Sequence, residues 1–297
     1  MGITRRRPDA LGDSRVTPAG RARGPLAAGD GTIVVHDCSG EDIGRLVAEH
    51  RLISSELLKL RSTRTAIALI ASVVGLVVLI GLVATITADF EQDEVLTVDL
   101  LGIAGFAQVF ALILGILAVT TEFRHGTITP TLIVAPDRVR VVLAKLVAHV
   151  LAGLILGVLV VGLTTAIVLI TLSSRDIDSG LTSQEITEVV FGLILAAALW
   201  AALGVGLGAL VRNEVGAIVG ALGWALLVEN LLTIVPTVGD WVQKYGLNGV
   251  TNALSSIESE VTGDVLSQAA GGALLLAYAA TFVIAGTGAM RRRDVTS

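Results

Sequence analysis

The sequence predicts an all-α polytopic membrane protein with six transmembrane helices, and three observations lead to this prediction. Hydrophobic residues make up 53% of the 297 residues, charged residues only 16%, and the mean hydropathy is +0.81, far above that of water-soluble domains. Six apolar stretches reach the roughly 20 residues that a helix needs to cross a bilayer. They lack the alternation of barrel strands, and backbone groups in lipid must pair within the segment, so each stretch is predicted to be a helix.

The chain ahead of the first apolar stretch divides into two parts. Residues 1–42 combine Arg, Pro, Gly and Asp with little apolar periodicity, which predicts a flexible cytoplasmic tail. A Ser-x-x-Asp capping pattern at Ser39 then precedes apolar residues at helical spacing, so 43–64 is predicted to be an amphipathic helix. Its basic end, with Lys59 and Arg61, favours a position in the membrane interface. The alternative is a simple helical extension of the first span.

The six apolar stretches form one predicted transmembrane domain over 65–291, followed by a cytoplasmic C-terminus at 292–297. The predicted spans are 66–87, 99–120, 146–172, 189–211, 215–235 and 269–290. Six spans place both termini on the same side of the membrane. With that side cytoplasmic, all but two of the 21 basic residues lie inside, the exceptions being Arg175 and Lys244. This distribution follows the positive-inside rule and predicts a multi-pass plasma-membrane protein with both termini in the cytoplasm.

The inner loop between the second and third predicted spans contains charges, two prolines and a short apolar run. Thr129 followed by Pro130 is typical of a helix start, so a short helix is predicted there. Pro136 is then the predicted first position of a second helix, with Asp137 in its first turn, that leads into the third span. A short rigid helix at the membrane surface is a docking element for a partner. The alternative is an inner loop that merely supplies charges and turns.

Several kinds of chemistry are not expected of this chain. It contains no Gly-x-x-x-x-Gly-Lys-Ser/Thr loop, so a nucleotide would have to be hydrolysed by another protein. The string Gly204-Val205-Gly206-Leu207-Gly208 lies inside an apolar span, where close helix packing is the expected role of glycine. The four histidines have no metal-ligand spacing, and no nucleophile–base pair is expected at membrane depth. We therefore predict no metal site, no directly bound cofactor and no catalysis.

One carboxylate lies well inside a predicted span. Glu229, with Asn230 beside it, is about four turns into the fifth span. Ionisable residues in hydrocarbon are costly and mark function by default, so the pair is a candidate polar site on a transport route. The alternative is that the span breaks near Pro236 and that Glu229 caps backbone groups beneath an outer segment.

The inner loop resembles that of a known transporter family. Glu122-Phe123-Arg124-His125-Gly126-Thr127, then Pro136-x-Arg138 and Lys145, resemble the loop between the second and third spans of ABC-2 type transporter permeases, particularly the actinobacterial members. The stretches 55–64 and 224–232 resemble the same family. The resemblance covers roughly residues 50–291 in number and order of spans, and the tail 1–42 falls outside it.

The resemblance implies a six-span permease subunit of an ATP-driven exporter. The nine loop residues would form or flank a coupling helix that contacts a separate cytoplasmic ABC ATPase, which would bind ATP and Mg, while Glu56, Lys59 and Arg61 of the amphipathic helix would add contacts. A second permease copy would complete a homodimer. The mostly apolar spans favour a hydrophobic or amphipathic substrate. Two alternatives remain: an ion-gradient-driven transporter or channel that uses Glu229, and a non-transporting membrane scaffold.

Overall fold

A computed structural model describes residues 52–87, 100–127, 137–177, 181–256 and 266–292. These residues are mostly helical and form no strand. Six helices among them are long and apolar enough to cross a membrane, which confirms the predicted fold class. The tail 1–42, the first part of the amphipathic helix, the predicted short helix after Thr129 and Pro136 lie outside the described residues, as do 293–297.

The six membrane-spanning helices are preceded by one short helix and interrupted by two others. The helices are α1 (52–62), α2 (Arg64–Thr87), α3 (Phe106–Arg124), α4 (Arg138–Ser174), α5 (Ser183–Val211), α6 (Glu214–Leu232), α7 (Gly239–Tyr245), α8 (Leu247–Leu254) and α9 (Gln268–Arg292). A helical turn from Leu100 and a 3-10 turn at Ile103–Gly105 lead into α3. The spans are therefore α2 to α6 and α9, while α7 and α8 belong to the large loop before the last span.

The spans next to the inner loop extend further than their apolar sequences predict. The second span ends at Arg124 instead of residue 120, and the third begins at Arg138 instead of residue 146. A hydropathy profile misses these turns because their charged residues make them look like loop. In the fold, some of these charged side chains are buried and the others lie at the surface. Asp137 was predicted to lie in the first turn of α4, but it is the N-cap residue, one position before the helix begins. Its side chain caps the helix by accepting a hydrogen bond from the backbone N–H of Val139 at 3.0 Å.

The helix α5 occupies the centre of the bundle. The most apolar segment of α5 is 72% buried, whereas the corresponding segment of α6 is 17% buried. The helix packs against α3, α4 and α9. Glycines allow its backbone to approach α3 closely, because a Cβ on Gly204 would lie 3.1 Å from the Cα of Gly115. The expected packing role of the Gly204–Gly208 string is thereby confirmed.

The two ends of the bundle differ in charge. One end, where α2 and α4 begin and α3 ends, carries Lys59, Arg124, Arg138 and Lys145 among other basic residues, and we call it the basic end. Among the described residues, Arg175 and Lys244 are the basic side chains at the opposite end. This separation is the one expected of a protein that follows the positive-inside rule, and the side of the membrane that the basic end faces stays a prediction.

Candidate functional site

Four charged side chains meet at the basic end of the bundle. Glu56 and Lys59 lie on α1, Glu122 lies in the last turn of α3, and Lys145 lies two turns into α4. We call these four residues the charge cluster. Its members are as far apart in sequence as 89 positions, so the fold alone brings them together.

Each amine of the charge cluster bonds to both carboxylates. Nζ of Lys145 donates hydrogen bonds to Oε2 of Glu56 at 2.9 Å and to Oε1 of Glu122 at 2.7 Å. Nζ of Lys59 donates to Oε1 of Glu56 at 2.7 Å and to Oε1 of Glu122 at 2.8 Å. Two positive and two negative charges therefore form a closed ring with no net charge, which ties α1, α3 and α4 together.

Burial makes this pairing obligatory for three of the four residues. The side chain of Lys145 is 2% exposed and those of Glu56 and Glu122 are 8% and 9% exposed, whereas Lys59 is 50% exposed. An ionised side chain loses its hydration when it is buried and must be compensated by an opposite charge and hydrogen bonds. The charge cluster provides both, with Lys59 on its accessible side.

The two members on α1 have shifted pKa values. Burial alone would raise the pKa of Glu56, but the charge of Lys145 and the hydrogen bonds from both lysines outweigh it, so this pKa lies below its ordinary value. Burial alone would lower the pKa of Lys59, but hydrogen bonds to Glu122 and Glu56 outweigh it and raise this pKa. Both residues are therefore held in their charged forms.

The helix α1 is amphipathic, but the face that carries Glu56 turns toward the protein. Ile53, Leu57 and Leu60 share this inward face at helical spacing, and Leu60 packs against the core of the bundle. Hydrogen bonds from Thr63 N to Lys59 O at 2.9 Å and from Ile67 N to Thr63 O at 3.2 Å carry the helix into α2. The sequence left open whether 43–64 lies in the membrane interface or extends the first span. The described part of this helix agrees with an extension of the first span.

The hydrogen bonds of Glu122 are distributed unevenly. Its Oε1 accepts from both lysines, while its buried Oε2 accepts no hydrogen bond from any described residue. One turn further along α4 from Lys145 lies His149, which is 3% exposed and whose Nδ1 is 2.9 Å from the carbonyl oxygen of Lys145. A carbonyl only accepts, so Nδ1 carries a proton in this contact.

A half-open cavity of about 520 Å³ adjoins the charge cluster. Glu56, Lys59, Glu122 and His149 lie along its polar side. Residues of α1, α2 and α3 form the rest of its lining: Leu60, Thr63, Thr65, Ala66, Leu114, Leu117, Ala118, Thr121, His125 and Thr127. The basic end thus contains an amphipathic space with charged groups on one side and aliphatic side chains on the other.

The predicted coupling residues divide into buried and exposed groups. Glu122 and Lys145 are enclosed in the charge cluster, where they contact residues of this chain and are less than 10% exposed. His125, Gly126 and Thr127 are exposed beyond the end of α3, and Gly126 has a left-handed backbone with φ of 66°. Direct contact of Glu122 or Lys145 with an ATPase stays a prediction, and their burial limits the surface available for it. A docking surface on the exposed residues stays a prediction.

Three further predicted loop residues hold the basic end together. Arg124 forms an ion pair with Glu214 at 3.1 Å, and the ring of Phe123 lies 5.0 Å from the guanidinium of Arg212. The guanidinium of Arg138 donates to the carbonyl oxygen of Met290 at 2.7 Å. These contacts join α3 to α6 and α4 to the end of α9. Arg61 on α1 is exposed.

Glu229 caps backbone groups, as the alternative interpretation expected. It is 2% exposed, and its Oε1 accepts the backbone N–H of Asn248 in the first turn of α8 at 2.6 Å. A π-helical stretch at Gly223–Val228 precedes it, and the side chain of Asn248 donates to the Ala225 carbonyl at 2.6 Å. The side chain of Asn230 donates to the Leu226 carbonyl of its own helix at 3.0 Å. Glu229 thus caps the first turn of α8, Asn230 bonds within α6, and a transport role for them stays a prediction.

Comparison with known proteins does not extend these observations. No model of a known protein family matches the sequence, and no curated protein matches it either. Within the described ranges, no group of three His, Cys, Asp or Glu side chains is placed to hold a metal ion. The resemblance to ABC-2 permeases therefore rests on its motif residues alone.

The sequence missed the most distinctive feature of this site, which is the joint burial of the four charges with His149. Glu56 and Lys59 are spaced i, i+3, and Lys145 and His149 are spaced i, i+4, so each pair shares one helix face. A polar pair on the inner face of an otherwise apolar helix is the signal that indicates a buried partner. It does not reveal which helix provides that partner.

Proposed function

We propose that the chain is the permease subunit of an ABC-2 type transporter that exports hydrophobic or amphipathic substrates, as a homodimer, with energy from a separate cytoplasmic ATPase. The charge cluster is the observation that carries this proposal. It joins the ends of α3 and α4, the two helices that flank the inner loop, to α1 at the start of the first span. Force applied to that loop would therefore reach three helices at once.

The chemistry of the cluster suits such a role. Buried hydrogen-bonded charges resist rearrangement, because separating any pair leaves an uncompensated charge in the interior. Movement of the loop would thus displace α1, α3 and α4 as a unit instead of deforming each helix separately. An ATPase would shift the equilibrium between two states of the bundle only by the difference in its interaction with them.

Co-purification tests the proposal directly. The tagged full-length chain is extracted in mild detergent and its partners are identified by mass spectrometry. We expect a stoichiometric partner that contains a Gly-x-x-x-x-Gly-Lys-Ser/Thr loop and hydrolyses ATP. Purified chain that moves substrate in liposomes without any ATPase would contradict the proposal and favour the ion-gradient alternative.

A point variant tests where the ATPase contacts the chain. Gly126→Pro removes the left-handed backbone that the loop adopts after α3, because proline fixes φ near −65°. We expect the partner's ATPase activity to continue without transport. The control is Arg292→Glu, an exposed substitution at the same end of the bundle. Normal transport by Gly126→Pro would exclude the loop as the coupling element.

A further inference from the structure

The end of α6 and the start of α7 carry exposed apolar side chains at intervals of three or four residues. Leu231 is 62% exposed, Ile234 76%, Val238 41% and Trp241 62%, and we call these four residues the apolar row. Apolar groups of this size and number are rarely left in water, so the row marks a surface that meets another apolar phase. None of the four takes part in the coupling proposed above.

The length of α6 places the apolar row near one edge of the bilayer. The 19 residues of Glu214–Leu232 rise about 28 Å, close to the roughly 30 Å of the hydrocarbon core. Because α6 starts at the basic end, Leu232 lies near the opposite edge. The start of α7 is held at the same level, since the N–H of Gly239 donates to the Val235 carbonyl at 2.8 Å. A Cβ on Gly239 would lie only 3.1 Å from the carbonyl carbon of Thr233, so the two helix ends are in close contact.

The side chains around α7 divide into three sectors. Gly239 and Val242 lie toward one side of the helix and are buried against the protein. Val238, which precedes the helix, and Trp241 share an exposed apolar sector one turn apart. The remaining sector is polar and contains Asp240, Gln243 and Lys244. A helix with a polar side and an exposed apolar side is suited to lie in the plane of a membrane interface.

The aromatic and basic residues of α7 also suit this interface. The ring centroids of Trp241 and Tyr245 are 5.6 Å apart, and the ammonium of Lys244 lies 5.7 Å from the centroid of the Tyr245 ring. Trp and Tyr are enriched where head groups meet acyl chains, and a lysine there extends its amine toward the head groups. The hydroxyl of Tyr278 donates to the Tyr245 carbonyl at 2.7 Å, which fixes the end of α7 to the last span.

We propose that α7 lies in the membrane interface opposite the basic end, with Val238 and Trp241 inserted among the lipid chains. Lipid is the partner because the apolar row continues the exposed face of α6, whose most apolar segment is only 17% buried and is long enough to span the bilayer. Asp240 and Lys244 keep the helix at the level of the head groups. The contact uses only this chain and needs no ATPase, so it goes beyond the proposed function.

Tryptophan fluorescence tests the proposal, because the three tryptophans of the chain have different surroundings. Trp200 is 2% exposed and is the buried reference. Trp224 is 53% exposed and lies halfway along α6, so it is the reference for the centre of the bilayer. The full-length chain and its Trp224→Phe and Trp241→Phe variants are placed at one copy per lipid nanodisc. The lipids carry bromine either near the head group or near the chain end, and iodide is added to the solution as the aqueous quencher.

The two exposed tryptophans should show opposite orders of quenching. We expect the emission of Trp241 to be lost mainly to bromine near the head group and that of Trp224 mainly to bromine near the chain end. The Trp241 signal is read from Trp224→Phe and, independently, from the difference between the wild type and Trp241→Phe, so one misfolded variant leaves the test intact. Quenching of Trp241 by iodide and not by lipid would place α7 in water. Quenching by neither would mean that protein, including a second copy, covers it, and each of these two results overturns the proposal.

Single cysteines test the sectors of α7 separately. The native Cys38 is replaced by serine, and Val238→Cys or Asp240→Cys is introduced, two positions that lie two residues apart on the apolar and polar sectors. We expect a membrane-impermeant maleimide to label Asp240→Cys several-fold faster than Val238→Cys in nanodiscs. Equal labelling rates would contradict an interfacial α7. Failure of these tests would leave the co-purification experiment unaffected, so the two proposals fail independently.

Discussion

The ammonium of Lys145 lies 2.7 Å from Oε1 of Glu122, and these two residues are on either side of the inner loop. The contact closes the loop at its base, with Glu56 and Lys59 of α1 completing the charge cluster. The loop that the resemblance singled out is thus anchored by the same residues that it was expected to present to a partner. Four predictions follow from this arrangement and from the packing of the bundle.

Removal of the Lys145 ammonium should strongly destabilise the protein. Lys145→Met leaves Glu56 and Glu122 buried with only Lys59 as a cation, and loss of one partner of a buried ion pair costs about 3–5 kcal/mol. We expect a clear fall in the thermal unfolding midpoint of the purified protein. Arg140→Met is the control, since Arg140 is exposed one turn earlier on α4. The double variant Glu122→Leu with Lys145→Met should recover part of the loss. If the loss of stability in the double variant equals the sum of the losses in the two single variants, the two residues are not coupled.

The stability of the protein should fall at both extremes of pH. The pKa of Glu56 is lowered below its ordinary 4.5, so its contribution is complete above that pH and is lost as the pH falls through the lowered value. The pKa of Lys59 is raised above its ordinary 10.5, so its contribution is complete below that pH and is lost as the pH rises through the raised value. Unfolding midpoints measured across pH test both limbs.

Single variants assign each limb of this pH profile to its residue. Glu56→Gln should flatten the acid limb, and Lys59→Met should flatten the alkaline limb. An acid limb that is unchanged in Glu56→Gln would mean that other carboxylates produce it.

A methyl group on Gly115 should disrupt the contact between α3 and α5. Its Cβ would lie 2.9 Å from the backbone nitrogen of Val205, which a real Cβ does not approach so closely. Overpacking of this kind costs about 1–3 kcal/mol. Gly162→Ala is the control, because a Cβ there meets no atom within 4 Å and alanine favours the helix. We expect Gly115→Ala to lower the unfolding midpoint and Gly162→Ala to preserve or raise it. Similar midpoints for the two variants would contradict the close packing.

Loss of the Glu229 carboxylate should loosen α8 locally. Glu229→Ala removes the acceptor of the Asn248 N–H, and loss of a capping acceptor costs about 0.5–2 kcal/mol. Hydrogen exchange at residues 247–254 should accelerate. Glu229→Gln keeps an acceptor and should show a smaller effect, while Asp240→Ala, at an exposed position of α7, should leave α8 unchanged. Protection of α8 that is equal in Glu229→Ala and the wild type would exclude the cap.

Six spans were predictable because each depends on a local property, a run of about 20 apolar residues. The boundaries near the inner loop were not, because the last turn of α3 and the first two turns of α4 are charged. Hydropathy treats Glu122 and Lys145 as loop residues. The structure makes them helical because each charge is neutralised by residues on other helices.

The sequence by itself determined the helical class, the number of spans and the separation of charge between the two ends, since these follow from composition and order along the chain. Tertiary structure decided which charges are buried, which carboxylate oxygen is left without a donor and where the cavity lies. Glu56, Glu122 and Lys145 are distant in sequence, and only the packing of α1 and α3 against α4 sets the distances on which their pairing depends. Electrostatic pairing acts over a few ångströms, and such proximity is a property of the packed helices.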